Sequence, residues 1–337
     1  MPYKEIEQYF LKHKIPKFRF KQLENAIFQN YITSFDEITN FSKDLRERLK
    51  QEFKLTSLFL VNQHKTEDTI KFIFKTEDKN FIETVLMLHN DNRRTVCVSS
   101  QIFCSLGCKF CATGANNFKR NLTTKEIIEQ VLFINKYLKH KNEKVTNVVY
   151  MGMGEPFLNY ENVIKSIEIL NDNNKFNIGA RHITVSTAGI IPEINKFADF
   201  KLQCKLAISL HAPNDELRTE LMPINKKYPL KELMKACDNF EKKTNKRITY
   251  EYVLIKNIND SSKYANELVN LLKNKLCFVN LLIYNPHPFA NYESPSKEKV
   301  NKFKNILDRN GIKVTIRRSM GDNISGACGQ LSAQNKK

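Results

Sequence analysis

The alternation of apolar and polar positions divides the chain into three regions. From 3 to 53 the apolar residues recur at helical spacing. Ile6, Tyr9 and Phe10 mark a helix over 3–13, Phe20, Leu23, Ile27 and Phe28 mark a second over 19–31, and a third fits 42–53. From 57 to 89 the period shortens. The runs LFLVNQH, TIKFIFKT and FIETVLML are rich in Phe, Ile, Leu and Val and are separated by the turn-like TED and EDKN. They predict a small antiparallel sheet. Glu83 interrupts the last run, either as a solvent-facing residue on an edge strand or as a functional acid.

From 94 onward strands and helices alternate. Strands fit 94–99, 146–151, 182–187, 204–209, 248–255, 278–283 and 312–317, with helices at 123–139, 160–171, 229–243, 261–273 and 296–309. Thr123 followed by Glu126 is a capping box for the first of these helices. Such alternation predicts parallel βαβ units. About six repeats are present, fewer than the eight of a closed barrel. The expected fold is therefore α/β: an open, partial (β/α)6-type barrel over 93–337, preceded by a helical accessory domain (1–54) and a short antiparallel β linker (55–92). The active site is expected at the C-terminal ends of the barrel strands.

Composition adds bounds. Of 337 residues, 41% are hydrophobic, enough for a sizeable core. No run of about 18 apolar residues predicts a membrane span, and MPYKEIEQYFLKHK carries charges throughout, with no signal core. A cytoplasmic protein without membrane attachment is expected. Eight Cys in such a chain do not suggest a disulfide framework. The net charge of +18 is more informative. Drift toward Lys, Asn and Ile explains Lys in place of Arg, but not 54 basic against 36 acidic residues. A pI near 9.4 is the footprint of a nucleic-acid binder, whose affinity comes largely from phosphate contacts. Trp is absent, so base stacking would fall to Tyr, Phe or Arg. Lys14, Lys17, Arg19, Lys21, Arg46, Arg48 and Lys50 stud the N-terminal helices, either as a solvated surface or as an RNA-binding face.

The candidate chemistry centres on CVSSQIFCSLGCKFCATG, residues 97–114. Cys104, Cys108 and Cys111 stand in C-x3-C-x2-C spacing. Thiolates suit iron–sulfur clusters or zinc. With no fourth Cys or His nearby, three ligands leave an open position, the mark of a catalytic site. Further polar or Gly/Pro clusters follow the predicted strands: MGMGEP (151–156) with Glu155, STAG (186–189), ISLHAP (208–213) with His211, and YNPHP (284–288). The two glycines of MGMGEP would let the backbone approach a ligand. His211 is either a pocket residue or a packed structural histidine. Cys328 lies in GDNISGACGQL (321–331), and Cys97 precedes the three-cysteine loop. Cys204, Cys237 and Cys277 read as buried small hydrophobes.

The cysteine spacing is that of the radical S-adenosylmethionine enzymes. Together with CVSSQ, CKFCATG, MGMGEP, SLHAPND, MPINKKYP, YNP and ACGQL in this order, the chain resembles the RlmN/Cfr family of radical-SAM RNA methyltransferases over essentially its whole length. Phe103, directly before Cys104, departs from the family, which usually has Gly there. Gly326, where Ala is common, is a milder change.

The resemblance implies a radical-SAM barrel and two cofactors. A [4Fe–4S] cluster would be bound by Cys104, Cys108 and Cys111. S-adenosyl-L-methionine would be contacted by Gly154, Glu155, Ser186, Ser209, Leu210, His211 and Asn285. It also implies that Cys328 is methylated by one S-adenosylmethionine. A 5′-deoxyadenosyl radical made from a second would activate that methyl group, which would then add to adenine. Cys97 would release the product by attacking the Cys328 sulfur, leaving a transient Cys97–Cys328 disulfide. Glu83 matches the family's proton acceptor. The implied substrates are 23S rRNA, at adenosine 2503, and tRNA, at adenosine 37. An electron donor such as flavodoxin and a monomeric state are implied as well. Pro156 resembles the branch that methylates adenine C2 rather than the resistance-conferring branch that methylates C8. A non-catalytic iron–sulfur or zinc RNA-binding protein is the reading from a different class.

Overall fold

The computed structural model describes residues 3–332. Three helices open it, α1 (Tyr3–Lys12), α2 (Lys17–Phe28) and α3 (Lys43–Glu52). The strands β1 (Leu58–Lys65), β2 (Thr69–Thr76) and β3 (Phe81–Leu88) follow as an antiparallel meander. Then come β4 (Arg94–Cys97), the two-residue strands β5 (Gln101–Ile102) and β6 (Arg120–Asn121), and α4 (Thr124–Lys139). The alternating part continues with β7 (Asn147–Tyr150), α5 (Tyr160–Asn171), β8 (Ile183–Thr187), α6 (Ile191–Ala198) and β9 (Lys205–Ser209). It ends with α7 (Asp215–Leu221), α8 (Leu230–Thr244), β10 (Ile248–Leu254), α9 (Ser262–Leu272), β11 (Cys277–Ile283), α10 (Lys297–Arg309) and β12 (Val314–Arg317).

Among the described residues, ten strands form one sheet in the order β1-β2-β3-β4-β7-β8-β9-β10-β11-β12. From β4 to β12 every neighbouring pair is parallel. The helical crossovers between them make the open (β/α)6-type barrel. The antiparallel strands do not stand apart as a linker sheet: β3 pairs with β4, placing Val85 opposite Cys97. The physical reason is burial. All but the end residues of β3 are buried, so this strand needs a partner on each side and cannot be a sheet edge.

Helix starts follow their local chemistry. The Thr123–Glu126 capping box forms as the sequence predicts, and Asn214 caps α7 through the Leu217 N–H at 3.0 Å. Helices α6 and α7 escape a periodicity reading because eight and seven residues hold barely two turns. The N-terminal helices share one apolar core with the barrel: Phe28 meets Phe176 edge-on at 5.4 Å, and Ile6, Leu23 and Leu49 are buried in the same cluster. Cys204, Cys237 and Cys277 are buried there too, as expected. No helix among the described residues is long and apolar enough to cross a membrane.

After β12 the chain returns across the open seam. Arg318 faces Asp68 at 3.4 Å, Lys71 Nζ donates to Ser325 O at 3.2 Å, and the Ser332 N–H donates to Glu83 Oε2 at 2.9 Å. This strap carries Cys328.

Candidate active site

The C-terminal ends of the parallel strands converge on two adjoining chambers that share Met151, Leu282, Asn285, Arg317 and Cys328. One, of about 860 Å³, holds Cys97 and Cys328. The other, of about 170 Å³, is lined by Cys104, Cys108, Cys111, Gly154, Glu155, Ser186, Ser209 and His211.

The cysteine loop is held from several sides. Lys109 N–H donates to Leu221 O at 3.0 Å and Ala112 N–H to Gly329 O at 2.7 Å. His287 Nε2 bonds Phe110 O at 3.0 Å, and Thr113 Oγ1 donates to Leu331 O at 2.6 Å. The loop turns at Phe103 and Gly107, both left-handed (φ 60° and 62°). That conformation is why glycine suits the position before Cys104. For Phe it costs about 1–2 kcal/mol, offset in part by packing of the ring against the core.

The donor set fits an iron–sulfur cluster. All three thiols are free and line one chamber. Gly114 leaves room behind them, since a Cβ there would come within 3.1 Å of Cys108 N. A closed zinc site takes four protein ligands, whereas a four-iron cluster that takes one thiolate on each of three irons keeps its fourth iron open, which suits a chamber lined by three thiols. Burial raises the Cys104 and Cys108 thiols, to about 12 for Cys104. Metal coordination would deprotonate them.

Glu155 is buried, with Oε1 accepting from Phe157 N–H at 3.0 Å and Oε2 from Ala188 N–H at 2.8 Å. Desolvation lifts its pKa to about 7 despite these bonds. His211 is also buried, and its Nδ1 accepts from Val253 N–H at 3.0 Å. That bond assigns the proton to Nε2, so the ring is a neutral donor. Burial, then Arg218, lowers its pKa to about 3. His211 therefore unites the two readings of the sequence, being packed and facing the chamber. Ser186 Oγ lies 3.3 Å from Ser209 Oγ, and Asn285 Nδ2 donates to Cys328 O at 3.3 Å.

Some expected residues have a further role or sit elsewhere. Gly152 and Gly154 line the smaller chamber and also serve the protein's own packing: a Cβ on Gly152 would meet Val98 O at 2.7 Å, and one on Gly154 would meet Gln101 Cβ at 2.4 Å. The close approach is that of residues 98–101, because Gln101 Oε1 must reach the Glu155 N–H at 2.8 Å. Leu210 has its side chain fully buried and does not line either chamber, while its carbonyl accepts from Arg218 Nε at 3.2 Å. Glu83 is no surface residue: it is 1% exposed, paired with Lys71 at 3.1 Å and covered by Ser332, outside both linings.

Cys97 is buried at the end of β4, and burial pushes its thiol up to about 12. Cys328 is exposed toward the chambers, yet the surrounding protein still raises it, with Arg317 opposing. Both thiols are free. Arg317 and Glu251 are the lining residues that sequence reasoning missed. Arg317 borders both chambers, and proximity to Cys328 raises its pKa before all other causes. Glu251 Oε1 accepts from Asn280 Nδ2 at 2.9 Å, while its buried Oε2 has no partner among the described residues. For Glu251 the available signal was a charged residue in the middle of a barrel strand; for Arg317 it was a charged residue at the C-terminal end of one.

Comparison with known proteins agrees with this geometry. A family model of the Radical SAM superfamily matches residues 98–268, and one of the Ribosomal RNA large subunit methyltransferase N-terminal domain matches 1–55. The chain is 46% identical, over 99% of its length and 92% of the relative's, to a Staphylococcus carnosus protein described as a probable dual-specificity RNA methyltransferase RlmN. A Staphylococcus aureus protein of the same description gives the same identity and coverage. The crystal structure of a radical SAM methyltransferase from Sphaerobacter thermophilus superposes with a TM-score of 0.96 at 44% identity, covering 99% of this chain and 98% of that one.

Proposed function

The chain belongs to the RlmN family of radical-SAM RNA methyltransferases, and on that premise we propose that it methylates C2 of adenosine 2503 in 23S rRNA and of adenosine 37 in tRNAs. Cys328 is the methyl carrier and Cys97 the resolving thiol. The observation that carries this reading is the shared chamber: both thiols line it, with Arg317 beside them and the three-cysteine loop next door.

The residues present divide the work. Cys104, Cys108 and Cys111 hold the cluster, which when bound supplies the single electron that cleaves S-adenosylmethionine. Glu155, Ser186, Ser209, His211 and Asn285 orient that nucleoside, His211 as an Nε2–H donor. Arg317 favours the Cys328 thiolate, which takes a methyl group by ordinary nucleophilic displacement. Cys97, shielded from water, keeps its proton until the Cys328 sulfur bears the RNA adduct. Once the adduct has lost an electron and a proton, attack by Cys97 on the Cys328 sulfur would break the bond from that sulfur to the adduct carbon, which takes up a proton as the methylated adenine leaves, and the disulfide so formed exists only in turnover; both thiols are free here. The basic surface supports RNA as the substrate.

The test uses two substitutions with different outcomes. Cys328→Ala should load its cluster yet give neither product nor adduct. Cys97→Ala should accumulate a protein–RNA covalent adduct that survives denaturation and maps to Cys328. A well-folded, cluster-loaded Cys97→Ala protein with no adduct, under conditions where the wild type turns over, would overturn the assignment. Mass spectrometry of 23S rRNA and tRNA from cells with and without the gene reads the regiochemistry, and 8-methyladenosine would move the enzyme to the C8 branch.

A further inference from the structure

Arg218, on α7, is a fully buried cation that the proposed reaction does not use. Its Nε donates to Leu210 O at 3.2 Å, its Nη2 to Ala188 O at 2.6 Å and Ser209 O at 3.3 Å, and its Nη1 to Asn225 Oδ1 at 2.8 Å. All four acceptors are neutral. The acid of this network, Asp215, is one hydrogen bond further away, accepting from Asn225 Nδ2 at 2.8 Å and from Leu230 N–H at 2.7 Å.

Removing a cation from water costs several kcal/mol, and carbonyl dipoles return only part of that. The charge sits directly behind the cysteine chamber: Ala188 and Ser209, whose carbonyls it holds, line that chamber together with Cys104, Cys108 and Cys111. The attachment is mechanical as well as electrostatic. Lys109, the neighbour of Cys108, donates its N–H to Leu221 O at the end of the same helix. The guanidinium also fastens the backbone where β8 and β9 end, beside Ser186, Ser209 and His211 of the chamber. Holding these carbonyls calls for donors. It does not call for an uncompensated charge.

We propose that Arg218 is the buried counter-charge of the cluster bound by Cys104, Cys108 and Cys111, placed to raise its reduction potential. Reduction adds one electron from an external one-electron donor, and no bond in the protein forms or breaks. A fixed positive charge in a low-dielectric interior stabilises the more negative, reduced form, and net charge around a cluster is one of the levers that set its potential. Arg218 touches neither substrate nor the reacting atoms and acts as a positioning residue. Asp215 moderates it through Asn225. The inference rests on the reading that these three cysteines hold a cluster.

The test is a potentiometric titration of anaerobically reconstituted full-length protein, followed by the electron paramagnetic resonance signal of the reduced cluster. Arg218→Gln removes the charge and keeps some donors. At the potential that half-reduces the wild type, its reduced-to-oxidised ratio should fall at least tenfold, which is a 59 mV shift for one electron. Arg218→Lys keeps the charge and should stay within threefold of the wild type. Asp215→Asn retains an acceptor for Leu230 N–H but removes the moderating charge, so its ratio should rise at least threefold. Equal shifts in Arg218→Gln and Arg218→Lys would make the residue a clamp and overturn the proposal. So would unchanged ratios in Arg218→Gln and Asp215→Asn. If Arg218→Gln does not hold a cluster, Asp215→Asn decides alone, and an unchanged or lowered ratio there is refutation. Iron and sulfide content separates the two levels: a wild type that binds no cluster sinks the functional reading itself, whereas loaded proteins of equal potential sink only this inference.

Discussion

Glu83→Gln separates two roles open to the same residue. As a proton acceptor, Glu83 would be needed for turnover but not for folding. The structure gives it a mechanical role, since its carboxylate pairs with Lys71 and receives the Ser332 N–H of the strap that carries Cys328. The two side chains are 7% and 1% exposed, so neither charge is relieved by water when the other is removed. Breaking one half of a buried pair costs about 3–5 kcal/mol. Lys71 keeps Ser325 O as an acceptor, and a glutamine oxygen can still take the Ser332 N–H, so the low end applies, about 3 kcal/mol. In a Lys71→Met background the same change should cost less than about 1 kcal/mol, because no orphaned cation remains. Urea unfolding of the four proteins measures the coupling, and amide exchange over 325–332 reports strap release. A Glu83→Gln protein as stable as the wild type, with the strap still protected, would refute the reasoning and leave proton transfer as the role of Glu83.

Other outcomes follow from the same geometry. Gly154→Ala should destabilise by about 2–5 kcal/mol through its positive φ and the overlap with Gln101, and should weaken S-adenosylmethionine binding measured calorimetrically, since Gln101 holds the Glu155 backbone. His211 has a folded pKa near 3 against 6.5 unfolded, so the unfolded state binds more protons between these values and stability falls as pH drops through that window. His211→Asn should flatten that slope in urea titrations of the cluster-free protein, and an unchanged slope would contradict the assignment. Reversing Lys17 and Lys21 should weaken RNA binding and reduce the salt slope by about 0.7–0.9 per lost phosphate contact if the N-terminal helices dock RNA. Arg19 is left out of that test because it donates to Asn40 O at 2.6 Å and stacks over Phe18 and Phe41, so its loss would disturb the helices.

Much of this architecture could be read from the chain because its signals are local. The period of apolar positions located seven parallel strands and most helices, since each element buries one face or both. The three-cysteine spacing and the Gly/Pro clusters marked the rim, as such residues gather where strands end. Residues whose meaning depends on neighbours distant in sequence were not legible. Glu83 read either as a surface acid on an edge strand or as a functional acid; only the fold showed that β3 is an inner strand and that Glu83 is buried against Lys71. The MGMGEP glycines suggested ligand approach and line the smaller chamber; that Val98 and Gln101 also come against them was visible only in the fold. Arg317 and Glu251 were hidden for the same reason.

The sequence alone therefore determined most of the elements, their order, and which thiols are available, because propensity, periodicity and ligand spacing act over a few residues. Tertiary structure decided what those thiols meet. Arg317 reaches Cys328 because β12 closes the parallel series, and Glu83 reaches the strap because the chain recrosses the open seam. Arg218 stays charged in the interior only because carbonyls from two strand-end loops turn toward it. Electrostatic energies inside a protein depend on distance and desolvation, and neither exists until the chain has folded.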